Sequence, residues 1–242
     1  SIGHEICMQL LKLKPKEIII FDISEASLYI SFENLKHANH NDIKITPIIG
    51  CATNINLLNY IFKKHKVEII FHAAAYKHVP LVEINPLEGL RNNVLGTESL
   101  IEACQFHLPK SFVLISTDKA VRPTNVMGSS KRMAELLVQD ASRRWPECRW
   151  TMVRFGNVLD SSGSVIPLFR EQLNSGKPLT VTHPEITRYF MSIGEAVRLV
   201  IQAGAMAKGG EVFLLDMGQP VRIVELARQM IELSEIRKDQ LI

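Results

Sequence analysis

The chain has 242 residues, 46% hydrophobic and 22% charged, with a formal net charge of +3. That balance argues against disordered and fibrous classes, and so small a charge gives no support to nucleic-acid binding, which needs a basic stripe. What remains is one α/β domain with a small appended lobe, with room for an anionic small ligand. Cys7, Cys51, Cys104 and Cys148 form no CxxC pair, and the eight histidines show no ligand spacing of the HExxH kind. This pattern reads as reduced thiols in a cytoplasmic protein, with no metal site. No apolar run reaches the roughly 18 residues that span a bilayer, and the first residues carry helical patterning in place of a signal peptide.

Taken in chain order, the apolar runs expected to form strands are 17–22, 44–49, 67–73, 111–116, 151–155 and 211–215. They are rich in Ile, Val and Phe with little polar alternation, as in strands covered on both faces. Helix-period segments lie between them at 2–13, 25–36, 56–66, 86–107, 128–145, 165–175, 193–207 and 222–233. The last turns of 128–145 and the residues beyond carry Arg143, Arg144 and Arg149 around Trp145, read as a solvated helix end. Strict alternation of strand and helix predicts βαβ units and a doubly wound parallel sheet of the Rossmann type. After Gly156 the composition turns to Gly, Ser and Pro. The division expected is a dinucleotide-binding core over 1–155 and a mixed substrate lobe over 156–242, with a returning strand near 211–215.

In a dinucleotide-binding fold a Gly-rich turn follows the first strand, and a carboxylate about twenty residues later takes the ribose hydroxyl. Gly3, beside Ile2, is placed as the last glycine of that turn, and Asp22 as the carboxylate. A helix-start glycine and a strand-end turn aspartate are the plain alternatives. On the first reading the sequence lacks its first strand, which is central in the sheet, and its neighbours should be left unpaired.

The segment with most chemistry is Ser116-Thr117-Asp118-Lys119 at the end of a buried strand, followed by Met127-Gly128-Ser129-Ser130-Lys131. Ligands of open parallel sheets bind beyond the carboxyl ends of the strands, and three charged side chains packed there would be costly without a function. A capping threonine, a turn aspartate and surface lysines would be the structural reading of the same residues.

The run STDKAVRPTNVMGSSKRMAE (116–135) closely resembles the active-site segment of bacterial nucleotide-sugar 4,6-dehydratases of the capsule and O-antigen biosynthesis family, extended short-chain dehydrogenases. FHAAAYKHVPLVE (71–83), NNVLGT (92–97), VRFGNVL (153–159), SSGSVIP (161–167) and TRYFM (187–191) resemble the same family in the expected order. The reaction implied is NAD-dependent dehydration of a UDP-N-acetylhexosamine, with UDP-N-acetylglucosamine expected, to a 4-keto-6-deoxy sugar. A hydride leaves C4, a base takes the C5 proton, an acid protonates the departing C6 hydroxyl, and the hydride returns to C6.

The resemblance implies Asp118 as the C6 acid, which needs burial to raise its pKa, and Lys119 as the C5 base, which needs its pKa depressed by the nicotinamide charge and Lys131. Thr117 would bond the C4 oxygen and Lys131 the nicotinamide ribose. Met127 stands where this superfamily usually has Tyr; it resembles the large membrane-anchored branch and leaves the C4 proton acceptor open between Asp118 and water. Ala73, Ala74 and Ala75 would let the cofactor approach closely, with Asn93 beside it. Lys77 and His78 would face the sugar, and Asn157 and Arg188 the UDP pyrophosphate. Self-association is implied too. Three positions depart from the family pattern: Cys51 for an Asp, Asp160 for a Gly, and Gly194 for a Pro. The alternatives carried forward are a UDP-hexose 4-epimerase, which needs no acid and base at C5 and C6, and a non-catalytic nucleotide-sugar-binding remnant.

Overall fold

The computed structural model describes residues 1–159 and 164–234, so Asp160 lies outside the described residues. The chain divides into two compact units. The larger comprises 2–154 with 197–214, and the smaller Ser1, 155–196 and 215–242.

The larger unit begins with helix α1 (Ile2–Leu11), strand β1 (Glu17–Asp22), helix α2 (Glu25–Ala38) and strand β2 (Lys44–Ile49). β1 and β2 pair in parallel, Glu17 opposite Lys44 through Asp22 opposite Ile49. Leu11, Ile18, Ile20, Leu28, Leu35 and Ile43 form the core between this pair and its helices. Helix α3 (Ile55–His65) leads to strand β3 (Ile69–His72), which opens a second parallel sheet. Strand β4 (Ser111–Ile115), strand β5 (Arg149–Arg154) and strand β9 (Val212–Leu214) follow in the order β3-β4-β5-β9. No ladder joins β1 to β3 among the described residues, and Ile69 on β3 is half exposed.

Every residue of β4 is buried. Around it Phe112, Leu114, Val138, Trp150 and Met152 make the largest core cluster. The Trp150 indole N–H is not left unpaired there, since it donates to the Trp145 carbonyl at 3.0 Å. The doubly wound parallel α/β fold expected from the alternation of apolar runs is the fold found, with each predicted strand within two residues of an observed one.

Two differences are instructive. Helix α4 (Val79–Ile84) falls where no helix was expected, because six residues with a proline in second place are too short to show a period. The single helix expected over 86–107 contains a break in period. Helix α5 (Pro86–Leu90) passes through a π-helical turn (Arg91–Leu95) into helix α6 (Gly96–Cys104). Such turns insert one residue into the helix and redirect a side chain; here the redirected group is Asn93.

Helix α7 (Val126–Arg144) is capped at its N-terminus by Asn125, whose side chain accepts from the Gly128 amide at 2.8 Å. Its far end is the basic turn expected, with the Arg144 guanidinium stacked 4.3 Å from the Trp145 ring centroid. In the smaller unit, strand β6 (Asn157–Val158) pairs with strand β8 (Phe190–Met191), and strand β7 (Thr187–Arg188) with strand β10 (Val221–Arg222). Helix α8 (Val165–Asn174) and helix α10 (Ile223–Leu233) pack there around Phe169, Ile223 and Ala227. Helix α9 (Ile193–Met206) starts in this unit, with Gly194 in its first turn, and continues into the larger one.

Candidate active site

The parallel strands of the larger unit deliver their carboxyl ends to one edge, and the polar residues of the sequence reading lie there. β4 ends at Ile115, buried Ser116 follows, and Thr117 keeps extended backbone (φ −146°, ψ 155°) before a 3-10 turn over Asp118–Ala120. The Thr117 hydroxyl accepts from the Lys119 amide at 3.3 Å and donates to Asp118 Oδ1 at 2.9 Å. Lys119 Nζ reaches the same oxygen at 3.0 Å. This turn lies so close to α7 that a Cβ on Gly128 would stand 2.4 Å from the Lys119 carbonyl oxygen. Only glycine fits there without a backbone shift.

The burial expected of Asp118 is not found: its side chain is 46% exposed and ion-paired with Lys119. The buried lysine is Lys131, on the inner face of α7 one turn after Met127, which is itself buried. Desolvation pushes the Lys131 ammonium down to about 8, with the Glu135 carboxylate opposing that shift. Met127 contributes its backbone carbonyl, which accepts from the Ser130 hydroxyl at 2.7 Å.

β3 ends at His72, and Ala73, Ala74 and Ala75 follow in a loop of small side chains. A Cβ on Gly3, in the first turn of α1, would lie 3.7 Å from that of Ala73. α1 therefore starts, with Ile2 and Gly3, beside this loop. Asp22 closes β1, exposed, with Oδ1 accepting the Ser24 amide at 2.8 Å. A helix N-terminus, a run of small residues and a strand-end carboxylate at the same edge are a donor and acceptor set that fits a dinucleotide. Cys51 follows β2, its thiol 3.1 Å from the Thr53 hydroxyl.

Asn93 is 1% exposed, and its amide is fully engaged by protein. Oδ1 accepts from the Tyr76 amide at 2.8 Å and from Asn92 at 3.0 Å, while Nδ2 donates to the Tyr76 carbonyl at 3.0 Å and to Ser130 at 2.9 Å. With both lone pairs and both protons used, Asn93 braces the 73–78 loop against α7. That loop carries Lys77, exposed with its pKa lowered by local desolvation, and His78, the residue before α4. Glu83 of α4 then accepts the Val126 amide at 3.0 Å, satisfying an orphan donor of α7.

The residues that sequence reasoning missed are the supports. His72 is buried, and its Nε2 lies 2.9 Å from the Thr97 hydroxyl. That hydroxyl already donates to the Asn93 carbonyl at 2.8 Å, so His72 carries its proton on Nε2 and donates. Desolvation, then the Lys131 charge, pushes the imidazole down to about 3, so it is neutral. Glu135 is wholly buried and accepts from Ser116 (2.6 Å), Arg154 Nε (2.7 Å) and Nη2 (2.5 Å), and Arg132 (3.0 Å). Burial would raise its carboxyl, but the bonds from Arg154, Ser116 and Arg132 win and hold it below the ordinary value. A lysine and a glutamate four apart on one helix were the only signal of this cluster in the sequence.

Asn157 and Arg188 both belong to the smaller unit. They flank Tyr189, whose carbonyl accepts the Asn157 amide at 3.2 Å. Arg188 is exposed, with Nη1 on the Thr187 carbonyl at 2.9 Å. Among the described residues no group of His, Cys, Asp and Glu has the arrangement of a metal site, and no helix is long and apolar enough to cross a membrane.

A parallel sheet flanked by helices, with reactive and anchoring groups at the carboxyl ends of its strands, defines a Rossmann-type α/β protein. Residues 1–241 match the polysaccharide biosynthesis protein family, and the chain belongs to that family. It is 49% identical over 241 residues to the capsular polysaccharide biosynthesis protein CapD of Staphylococcus aureus, covering all of this chain and 40% of that protein. The chain thus spans two fifths of that relative's length. The UDP-glucose 4-epimerase of Rickettsia typhi is 35% identical over 239 residues, covering 96% of this chain and 67% of the epimerase. The X-ray structure of Pen from Bacillus thuringiensis superposes with a TM-score of 0.92 at 34% identity, over all of this chain and 75% of Pen.

Proposed function

We propose that this chain carries the catalytic domain of an NAD-dependent UDP-N-acetylhexosamine 4,6-dehydratase serving surface-polysaccharide synthesis. The observation that carries the reading is the Asp118–Lys119 pair, an acid and a base joined at 3.0 Å next to the Thr117 hydroxyl. An epimerase needs no proton chemistry at C5 or C6, so it has no use for both. The identity to a capsular polysaccharide biosynthesis protein supports the pathway, while that to a UDP-glucose 4-epimerase keeps 4-epimerisation as the second reading.

NAD, when bound, supplies hydride acceptance and return. Ile2 and Gly3 at the start of α1, the alanines at 73–75 and Asp22 would hold it; the carboxylate takes a ribose hydroxyl and repels a 2′-phosphate, which selects NAD over NADP. Lys131 would bond the nicotinamide ribose, and Asn93 acts by bracing the loop.

Met127 cannot take the C4 hydroxyl proton, but the Thr117–Asp118 bond offers a route. Thr117 accepts the C4 proton as its own passes to Asp118 Oδ1, so an exposed Asp118 becomes the acid without burial. Its charge, with which the Lys119 ammonium is paired, is thereby lost. Lys119 releases a proton to solvent and, as the free amine, takes the C5 proton. Asp118 then gives its proton to the C6 hydroxyl, which leaves as water, Lys119 returns a proton to C5, and the free amine takes a proton back from solvent to restore the starting pair. Lys77 and His78 would contact the sugar, and Asn157 and Arg188 the pyrophosphate.

Self-association is part of the proposal: Leu87 and Leu95 on one helix run and Met133 and Leu136 on α7 are exposed apolar groups that a second copy would cover. Light scattering that finds only monomer would remove this part.

Proton NMR of UDP-N-acetylglucosamine, NAD and the protein in deuterated water tests the reaction. A 4-keto-6-deoxy product with deuterium at C5 is expected. Conversion to UDP-N-acetylgalactosamine would replace the dehydratase with the epimerase, and binding of the sugar nucleotide with neither turnover nor bound NAD would leave a nucleotide-sugar-binding remnant.

A further inference from the structure

Glu135 has no step in the chemistry above, yet it is the most heavily bonded carboxylate near it. A buried carboxylate is costly unless its oxygens are satisfied, and one bidentate arginine would suffice for a plain core ion pair. Here the Arg154 fork is supplemented by the Ser116 hydroxyl at 2.6 Å and by Arg132 at 3.0 Å.

The donors come from three places that matter to the site. Ser116 immediately precedes Thr117-Asp118-Lys119, Arg154 is the last residue of β5, and Arg132 adjoins Lys131 on α7. The Ser116 amide also donates to the Val153 carbonyl at 2.8 Å, which ties the ends of β4 and β5 by backbone. That backbone bond holds strand register but does not set how the following turn approaches α7. The Ser116–Glu135 bond does, because Glu135 stands one helical turn beyond Lys131 on the same buried face of α7.

We propose that Glu135 is the positioning residue of this site: through Ser116 and Arg154 its carboxylate fixes the 117–120 turn against α7 and sets the placement of the Asp118–Lys119 pair relative to Lys131. The inference rests on the dehydratase reading only for its turnover readout.

The test is Ser116→Ala in the whole chain, which deletes one bond and leaves the Arg154–Glu135 fork in place. The thermal midpoint is expected to stay within about 5 °C of wild type. Amide hydrogen exchange across 117–120 should accelerate by about tenfold or more, as expected when a local opening becomes easier. The kcat for UDP-N-acetylglucosamine conversion should fall by about tenfold or more with KM little changed, the sign of lost positioning and not lost binding. Should Ser116→Ala fail to fold, Arg154→Lys, which keeps the charge and loses the fork, is judged by the same two readouts. Wild-type exchange at 117–120 in a folded variant overturns the proposal whatever the turnover. If the wild-type protein converts no sugar nucleotide, the dehydratase reading fails and the exchange comparison alone decides the role of Glu135.

Discussion

Two carboxylates of the larger unit bind basic partners, and they are built in opposite ways. Glu135 is wholly buried and takes four bonds, two of them from one planar guanidinium. Asp118 is half exposed and shares a single oxygen between a hydroxyl and a flexible lysine. The first arrangement costs too much to break during a reaction cycle; the second costs little to break and can exchange protons with substrate and solvent. On the proposed mechanism, support and chemistry would be divided between these two acids, with α7 and the 3-10 turn as their carriers.

The comparison breaks most sharply at Asp118 itself. Asp118→Asn is expected to lower turnover by about 10²–10⁴-fold, the range for loss of a general acid or base, while an exposed ion pair contributes only about 0–1 kcal/mol to stability. A steady-state assay beside a denaturant melt checks both halves, and a large loss of stability would place Asp118 with the supports. Glu135→Gln should do the reverse in kind, costing about 3–5 kcal/mol because Arg154, 16% exposed, keeps its charge with half of its partner gone. Equilibrium unfolding in urea measures it, and a loss below about 1 kcal/mol would contradict the burial argument.

Gly128→Ala falls between the two. Its Cβ must push the Lys119 carbonyl away from 2.4 Å, at about 1–3 kcal/mol for overpacking. Turnover should fall with it, and unchanged kinetics would show that the 117–120 turn tolerates displacement.

The mildest test is pH. His72, at about 3 when folded against an ordinary value near 6.5, is protonated more readily in the unfolded chain. Its contribution is therefore complete above about 6.5 and is lost as pH falls from there toward about 3. Glu17 adds a second acid-side loss. Bonds from Thr46, Lys44 and His65 overcome burial and hold it at about 2, so its contribution is present above about 4.5 and fades toward about 2. Thermal midpoints of His72→Gln and the wild type between pH 7 and pH 4 should converge as pH falls; parallel curves would assign the acid sensitivity elsewhere.

Much of this protein was legible before any coordinates. The alternation of apolar runs determines a parallel α/β sheet, because strands covered on both faces must be apolar throughout while their helices show a period. The apolar run 112–115 marked a buried strand, and hence put Thr117, Asp118 and Lys119 at a carboxyl edge. Tertiary structure alone decided the rest. Whether Asp118 is buried depends on what packs over a turn, and no local pattern carries that. The π-helical turn at Asn93 is rewarded by three long-range hydrogen bonds, two to Tyr76 and one to Ser130. The sequence analysis gives Glu135 no role; its burial becomes tolerable only when Ser116, nineteen residues before it, and Arg154, nineteen after, arrive at the same point. Long-range satisfaction of polar groups is a property of the folded arrangement, and that is where this site is made.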